Sequence, residues 1–266
     1  MRKWLIIFVL ASFTQSCEEV VEIDLNESEP RLVVDASINL REDGTGNAVV
    51  KLTTTAPFFD SEIPVVSNAQ VFVRDEFGTT YPFTYTENGV YTAAVTPVFN
   101  IDYTLDIMYG GQRYTATEEL QSVVPIDFVE QRNDGGFDGE SIELKAFFND
   151  PPNEENFYFF EGLSDKGDEY DTLDDEFFDG NLIFGFYVVD DLETGDRVTF
   201  NLYGVDKQFF NFMFVLLQQG SDDGGGPFET QPATVRGNLV NVTDPDRFPL
   251  GYFRVSEVSS LEYIVQ

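Results

Sequence analysis

Tyr103-Thr-Leu-Asp-Ile-Met-Tyr109 runs into Gly110-Gly111 and returns through Arg113-Tyr-Thr-Ala-Thr117. β-Branched and aromatic residues fill both arms, and a Gly-Gly pair between them supplies the positive φ angles of a two-residue hairpin turn. The stretch therefore reads as two antiparallel strands. Upstream, Leu32–Leu40, Ala48–Thr55, Ala69–Asp75, Thr79–Thr86 and Gly89–Val95 repeat the strand pattern. They are broken by the turn Glu42–Asn47 and the loop Ala56–Pro64. Short strands at this spacing, without a helix signal, predict an antiparallel sandwich of immunoglobulin or transthyretin type over residues 31–122.

Downstream, Val123-Val124-Pro125 marks a boundary, and 123–266 reads as a second antiparallel β region. Asn133–Gly139 is expected as an exposed, turn-rich insert. Strands are expected at Ser141–Phe148, Asn156–Glu161, Leu182–Val189, Arg197–Tyr203, Thr234–Val242, Leu250–Val255 and Leu261–Val265, with an acidic loop over Asp165–Asp179. One segment changes period. Over 206–219, Phe209, Phe210, Met213, Leu216 and Leu217 recur at helical spacing, with Asp206 placed to cap the start and Gly220 the end. The expected fold class is mainly β with a single packed helix.

At the head of the chain, Arg2 and Lys3 precede the apolar run Trp4–Phe13, then Thr14-Gln15-Ser16-Cys17. About ten apolar residues are too few to span a bilayer as a helix but suit the core of a secretory signal. A small residue directly before a cysteine at the end of such a signal reads as a lipoprotein cleavage site. The signal would be 1–16, with Cys17 carrying the acyl chains and 17–30 an acidic linker. Thr14 stands where such signals usually carry leucine. Two or more acyl chains make anchoring stable where one does not.

Composition narrows the chemistry. Removing Arg2 and Lys3 with the signal takes the formal balance from −33 to −35, which repels nucleic acid and anionic head groups. With 27 Phe and 12 Tyr, the chain has the aromatic content of a folded body. It holds no histidine, and its single cysteine is Cys17. That removes Ser-His-Asp and Cys-His catalysis, the common zinc sites and any intrachain disulfide. What remains is oxygen-ligand chemistry or a carboxylate pair of the glycosidase kind. In the acidic run, Asp168, Asp171, Asp174 and Asp175 are candidate calcium ligands. They lack EF-hand spacing, so a solvated loop is the simpler reading. No catalytic residue and no cofactor is assigned.

Ser16-Cys17-Glu-Glu-Val-Val-Glu-Ile-Asp-Leu25 and Arg31-Leu-Val-Val-Asp-Ala-Ser-Ile38 resemble the start of a Bacteroidota lipoprotein family, domain of unknown function 4249. Thr54–Phe58, Pro64–Val71, Asn149–Pro152 with Glu155-Asn156, Asp174–Gly180, Pro227-Phe228, Arg236–Asn238 and Leu250–Phe253 are similar marks. The resemblance implies a surface lipoprotein of the outer membrane that accompanies a TonB-dependent receptor in nutrient capture or receptor assembly. Under it, Glu18 and Glu19 would serve as the signal for export to the outer face. Two other functions stay open, a free-standing glycan- or peptide-binding module and a carboxylate-pair hydrolase.

Overall fold

The computed structural model describes residues 29–57, 60, 62–136, 139, 141–220 and 234–266. The first half contributes β1 (Leu32–Arg41), β2 (Gly46–Thr54), β3 (Gln70–Asp75), β4 (Thr80–Pro82), β5 (Thr84–Tyr85), β6 (Val90–Ala93), β7 (Asp102–Tyr109) and β8 (Gln112–Glu119). The second half contributes β9 (Phe128–Gly135), β10 (Ser141–Asn149), β11 (Phe157–Ser164), β12 (Gly167–Asp174), β13 (Leu182–Tyr187) and β14 (Arg197–Val205). After these come the helix α1 (Lys207–Gly220), β15 (Val240–Asn241) and β16 (Leu250–Ile264). The chain is mainly β with one helix among the described residues, as its sequence leads one to expect.

The strands form an eight-stranded sheet in the order β12-β11-β14-β16-β1-β2-β6-β5, a three-stranded sheet β13-β10-β9 and a five-stranded sheet β15-β8-β7-β3-β4. Successive side chains on a strand point to opposite faces. Accordingly Leu32, Val34, Ala36 and Ile38 of β1 and Ala48, Val50 and Leu52 of β2 line one face. They meet Val71, Val73, Leu105, Ile107, Tyr114 and Ala116 of the five-stranded sheet in a first core. Leu144, Ala146 and Phe148 of β10 meet Tyr158, Phe160, Phe200 and Leu202 of the large sheet in a second core. Two sandwiches thus share one sheet. All strand pairs are antiparallel except β1 with β16.

The shared strand corrects the sequence-based division at 122/123. β16 pairs with β1 through Leu250–Val258 and with β14 through Val258–Ile264. Leu239, Phe253 and Val255 are buried in the first core although they lie far beyond the expected boundary. Its two expected strands, Leu250–Val255 and Leu261–Val265, are therefore one. The polar stretch between them looked like a break, but the backbone stays extended while the strand changes neighbour at Val258. Near residue 122 the chain crosses beside β16. Gln121 N donates to Val255 O (3.0 Å), Glu257 N donates to Gln121 O (2.8 Å) and Ile126 N donates to the Ser259 hydroxyl (2.9 Å).

Two local expectations match closely. β7 ends at Tyr109 and β8 begins at Gln112, with Gly110 at φ 58° and Gly111 at φ 77°. Asp206 caps α1, its Oδ1 accepting the Phe209 N–H at 2.6 Å. The helix face differs in part from the expected one. Phe209 and Phe212 are buried against Phe159, Tyr203, Tyr252 and Val258, Phe210 and Met213 pack partly, and Leu216 is exposed. Thr234–Val242, expected as a full strand, pairs only at Val240 and Asn241. Asn133–Gly135 close strand β9 rather than opening a loop insert.

Candidate functional site

The middle of the acidic run is not a loop. Gly167–Asp174 is the edge strand β12, paired with β11 through Phe157–Ser164. A strand with few deeply buried side chains carries no alternating apolar signal, so its charges concealed it. The alternation also separates the expected calcium ligands. Asp168 and Asp174 share a face but lie six positions apart, roughly 20 Å along a strand, and Asp171 faces the other way. These four residues do not converge on one ion.

A different trio does meet. Carboxylate oxygens of Asp150, Asp175 and Asp179 all lie within 4.8 Å of one another, the first two buried and the third exposed. Only Asp175 was among the four candidates. Asp150 was hidden because it stands some 25 residues upstream, at the end of β10 before Pro151-Pro152. Each carboxylate accepts hydrogen bonds that staple two loops. Asp150 accepts from the Tyr158 hydroxyl (2.6 Å) and Gly180 N (3.0 Å). Asp175 accepts from Asn156 N (3.0 Å), and Asp179 from Asn153 N (2.7 Å). Burial first, and then Asp150, hold the Tyr158 hydroxyl well above its ordinary titration range. The trio has a structural account in these donors: each carboxyl group accepts from an N–H or O–H group.

Beside the trio opens a cleft of about 660 Å³ walled by Glu154, Glu155, Asp174, Glu176 and Asp179. Among the lining residues Lys207 is the single cation. It pairs with Glu155 at 2.8 Å and lies 5.3 Å from the Phe157 ring centre. The cleft therefore presents a net negative, partly aromatic surface that favours cationic groups.

Replacing Asp150 with Ala is expected to destabilise the fold by about 2 kcal/mol, because the buried Tyr158 hydroxyl and the Gly180 amide both lose their acceptor. The companion Tyr158→Phe removes only the hydroxyl donor and leaves Asp150 its Gly180 amide, so it should cost about half as much. Urea denaturation of the two variants checks this; equal losses would show that the staple contributes nothing specific.

A second carboxylate pair lies where the first sandwich meets the helix. Glu118 of β8 stands beside Asp206, the cap of α1, close enough for the two carboxyl groups to act on each other. Asn238 Nδ2 donates to Glu118 Oε1 at 2.6 Å, and the Tyr252 hydroxyl donates to Asp206 Oδ1 at 3.3 Å. Burial, and then the neighbouring Asp206 charge, push the Glu118 carboxyl up to about 7. The Glu118 carboxyl thus keeps its proton to higher pH than an exposed glutamate, at a place where two parts of the chain meet. Sequence reading missed it, since Glu118 and Asp206 are two acids among 48.

Several sequence marks quoted above meet in space. Asn149–Pro152 and Asn156 are bound to Asp174–Gly180 through the carboxylate staples, and Pro152 lies where a Gly180 side chain would begin. Arg236–Asn238 packs on Leu250–Phe253. There the Asn238 side chain donates to Phe253 O (2.7 Å) and accepts from Phe253 N (3.0 Å). Thr54 N donates to Pro64 O at 2.9 Å. Cys17, Glu18 and Glu19, like Pro227-Phe228, lie outside the described residues.

Among solved structures, the chain is similar to a cytokine receptor complex at 13% identity and a TM-score of 0.24, covering 64% of this chain and 83% of that one. It is similar to a two-domain fibronectin type III segment of chicken tenascin at 13% identity and a TM-score of 0.20, covering 66% and 90%. A DUF4785 family protein of Legionella pneumophila matches at 9% identity and a TM-score of 0.21, covering 65% and 52%. No curated protein matches the chain. A family model matches across residues 18–262, which takes in both sandwiches, the helix and the staples that join the quoted marks. By that match, the chain belongs to the family described as Domain of unknown function (DUF4249).

Proposed function

We propose that this protein is a lipid-anchored accessory of the bacterial outer membrane, held by an acylated Cys17 and working beside a TonB-dependent receptor in nutrient capture or receptor assembly. The observation that carries the reading is the apolar run Trp4–Phe13 followed by Thr14-Gln15-Ser16-Cys17, ahead of a body whose first strand among the described residues is Leu32–Arg41. Roughly a dozen residues between them reach at most about 40–50 Å when extended, enough to hold the body clear of a bilayer. Membership of the family supports it. Among the described residues no helix is long and apolar enough to cross a membrane.

Metabolic labelling with an alkyne fatty acid is expected to tag the native protein and to leave a Cys17→Ser variant unlabelled and free of the membrane fraction. Equal labelling of both would refute the anchor. Mild-detergent purification of the tagged protein from its own envelope should then recover one TonB-dependent receptor in near-equal amount.

A second reading rests on the outer face of the three-stranded sheet. Phe128, Phe147 and Phe184 form a row across β9, β10 and β13, with ring centres 4.9 and 5.1 Å apart. Phe186 continues this face, and Lys145 Nζ lies 5.0 and 5.7 Å from the Phe184 and Phe186 ring centres. Such a platform suits stacking on sugar rings, and favours the glycan-binding alternative over a peptide groove.

A further inference from the structure

Phe177 and Phe178 stand 80% and 51% exposed on the loop Asp174–Asn181. Their exposure is not the product of a slack loop. Phe178 N and Asp179 N donate to Asp175 O at 2.8 and 2.9 Å, Asn181 N donates to Phe178 O at 2.8 Å, and Asp150 N donates to Asn181 O at 3.0 Å. The carboxylates of Asp150, Asp175 and Asp179 fix the same loop from below, through Gly180, Asn156 and Asn153. The loop is therefore held in one shape while it presents two phenyl rings to water. Rings held this way lose little freedom on binding, which is the property of an interface anchor.

Charge narrows the partner. Glu176 and Asp179 flank the two phenylalanines in the chain, and with Asp174, Glu154 and Glu155 they line the cleft beside the loop, where Lys207 is already paired with Glu155. A bilayer rich in anionic head groups would repel this rim. A protein surface with an apolar pocket bordered by lysine and arginine would be drawn to it and oriented by it.

We propose that Asp174–Asn181 is a docking knob, with Phe177 and Phe178 inserting into an apolar pocket of a partner protein whose rim is basic. The identification of that partner as a TonB-dependent receptor rests on the function proposed above; the knob itself does not.

The test places a photo-crosslinking phenylalanine at position 177 of the full-length lipoprotein in its own cells, with the same group at Phe77 as control. Phe77 is 75% exposed but sits on the turn after β3, in the other sandwich. One protein adduct is expected at 177 and not at 77, mapping to an apolar segment flanked by Lys or Arg. Capture of that protein should fall about tenfold in Phe177→Ser/Phe178→Ser and decline as salt rises. Both side chains are largely outside the core, so circular dichroism should report an unchanged fold. Adducts to lipid or glycan, no adduct, or undiminished capture by the folded double variant would each overturn the knob. A receptor that co-purifies without an adduct at 177 leaves the accessory function standing and the knob refuted. A defined adduct to a basic-rimmed protein that is not a receptor does the reverse.

Discussion

Raising the pH from about 5 to about 8.5 is expected to destabilise the wild-type fold by on the order of 2 kcal/mol more than it destabilises Glu118→Gln. Burial and the adjacent Asp206 lift the folded-state Glu118 carboxyl from 4.5 to about 7. The folded chain therefore binds a proton more tightly than the unfolded chain does. The stabilisation it brings is fully present below about 4.5 and is lost as the pH rises through about 7. The whole shift would correspond to roughly 3 kcal/mol, and partial access to solvent reduces it. Glutamine keeps an acceptor for Asn238 and places an amide rather than a second charge beside Asp206, so this site's contribution should not change across the window. At the alkaline end the variant should melt several degrees above the wild type, since about 1 kcal/mol corresponds to roughly 2–4 °C in a chain of this size. All other acids are common to both proteins, and the difference between the two pH profiles isolates this pair. Parallel profiles would rule out the raised Glu118 carboxyl.

What loosens above pH 7 follows from where the pair sits. Asp206 caps α1 and Glu118 belongs to β8, so repulsion between them acts on the seam between the first sandwich and the helix. Asp102 adds a further negative charge toward Glu118. Nearby cations are occupied elsewhere: Arg254 donates to Asn39 at 2.8 Å and lies 4.1 Å from the Tyr203 ring centre, and Lys207 pairs with Glu155. Amide exchange at the first turn of α1 should therefore quicken with pH beyond the intrinsic rate, and Glu118→Gln should suppress the excess.

Features readable from sequence were those made by neighbours in the chain. Gly110-Gly111 declared its hairpin, and Asp206 followed by Phe209 and Met213 declared a capped helix, because turn and cap chemistry act over two to four residues. The strand alternation of β1 and β2 exposed the first core in the same way. Features set by distant partners were not readable. β12 has few deeply buried side chains, so its acids looked like a loop. Leu250–Ile264 looked like two strands because its polar middle lies where one neighbour gives way to another. Asp150 meets Asp175 and Asp179 only through the way β10, β11 and β12 come together in the fold. The helix face shifted for the same reason: Phe212 is buried because Tyr252 stands beneath it, at a ring-centre distance of 5.2 Å, and Tyr252 comes 40 residues later.

The largest single-residue loss is expected at Gly251. It sits second in β16, opposite Val34 in the parallel pair that joins β1 to β16. Its φ is +96°, a conformation that side-chain-bearing residues rarely adopt. A Cβ there would also overlap the carbonyl oxygen of Val34, while Gly237 is packed so tightly on the Gly251 carbonyl that it too has no room for a side chain. Gly251→Ala must therefore break the first β1–β16 hydrogen bonds or displace the 236–238 segment, and with it the Asn238 contacts to Phe253 and Glu118. Together these set the expected cost at roughly 3–5 kcal/mol, or a melting temperature lower by about 10 °C. Gly44→Ala separates the two causes. Gly44 has φ +78° in an exposed turn with nothing near its missing side chain, so only the backbone strain of about 1 kcal/mol applies. A Gly251→Ala loss no greater than that of Gly44→Ala would mean that the close approach of the three backbone segments contributes little. A loss several times larger would locate the closure of both sandwiches at this crossing.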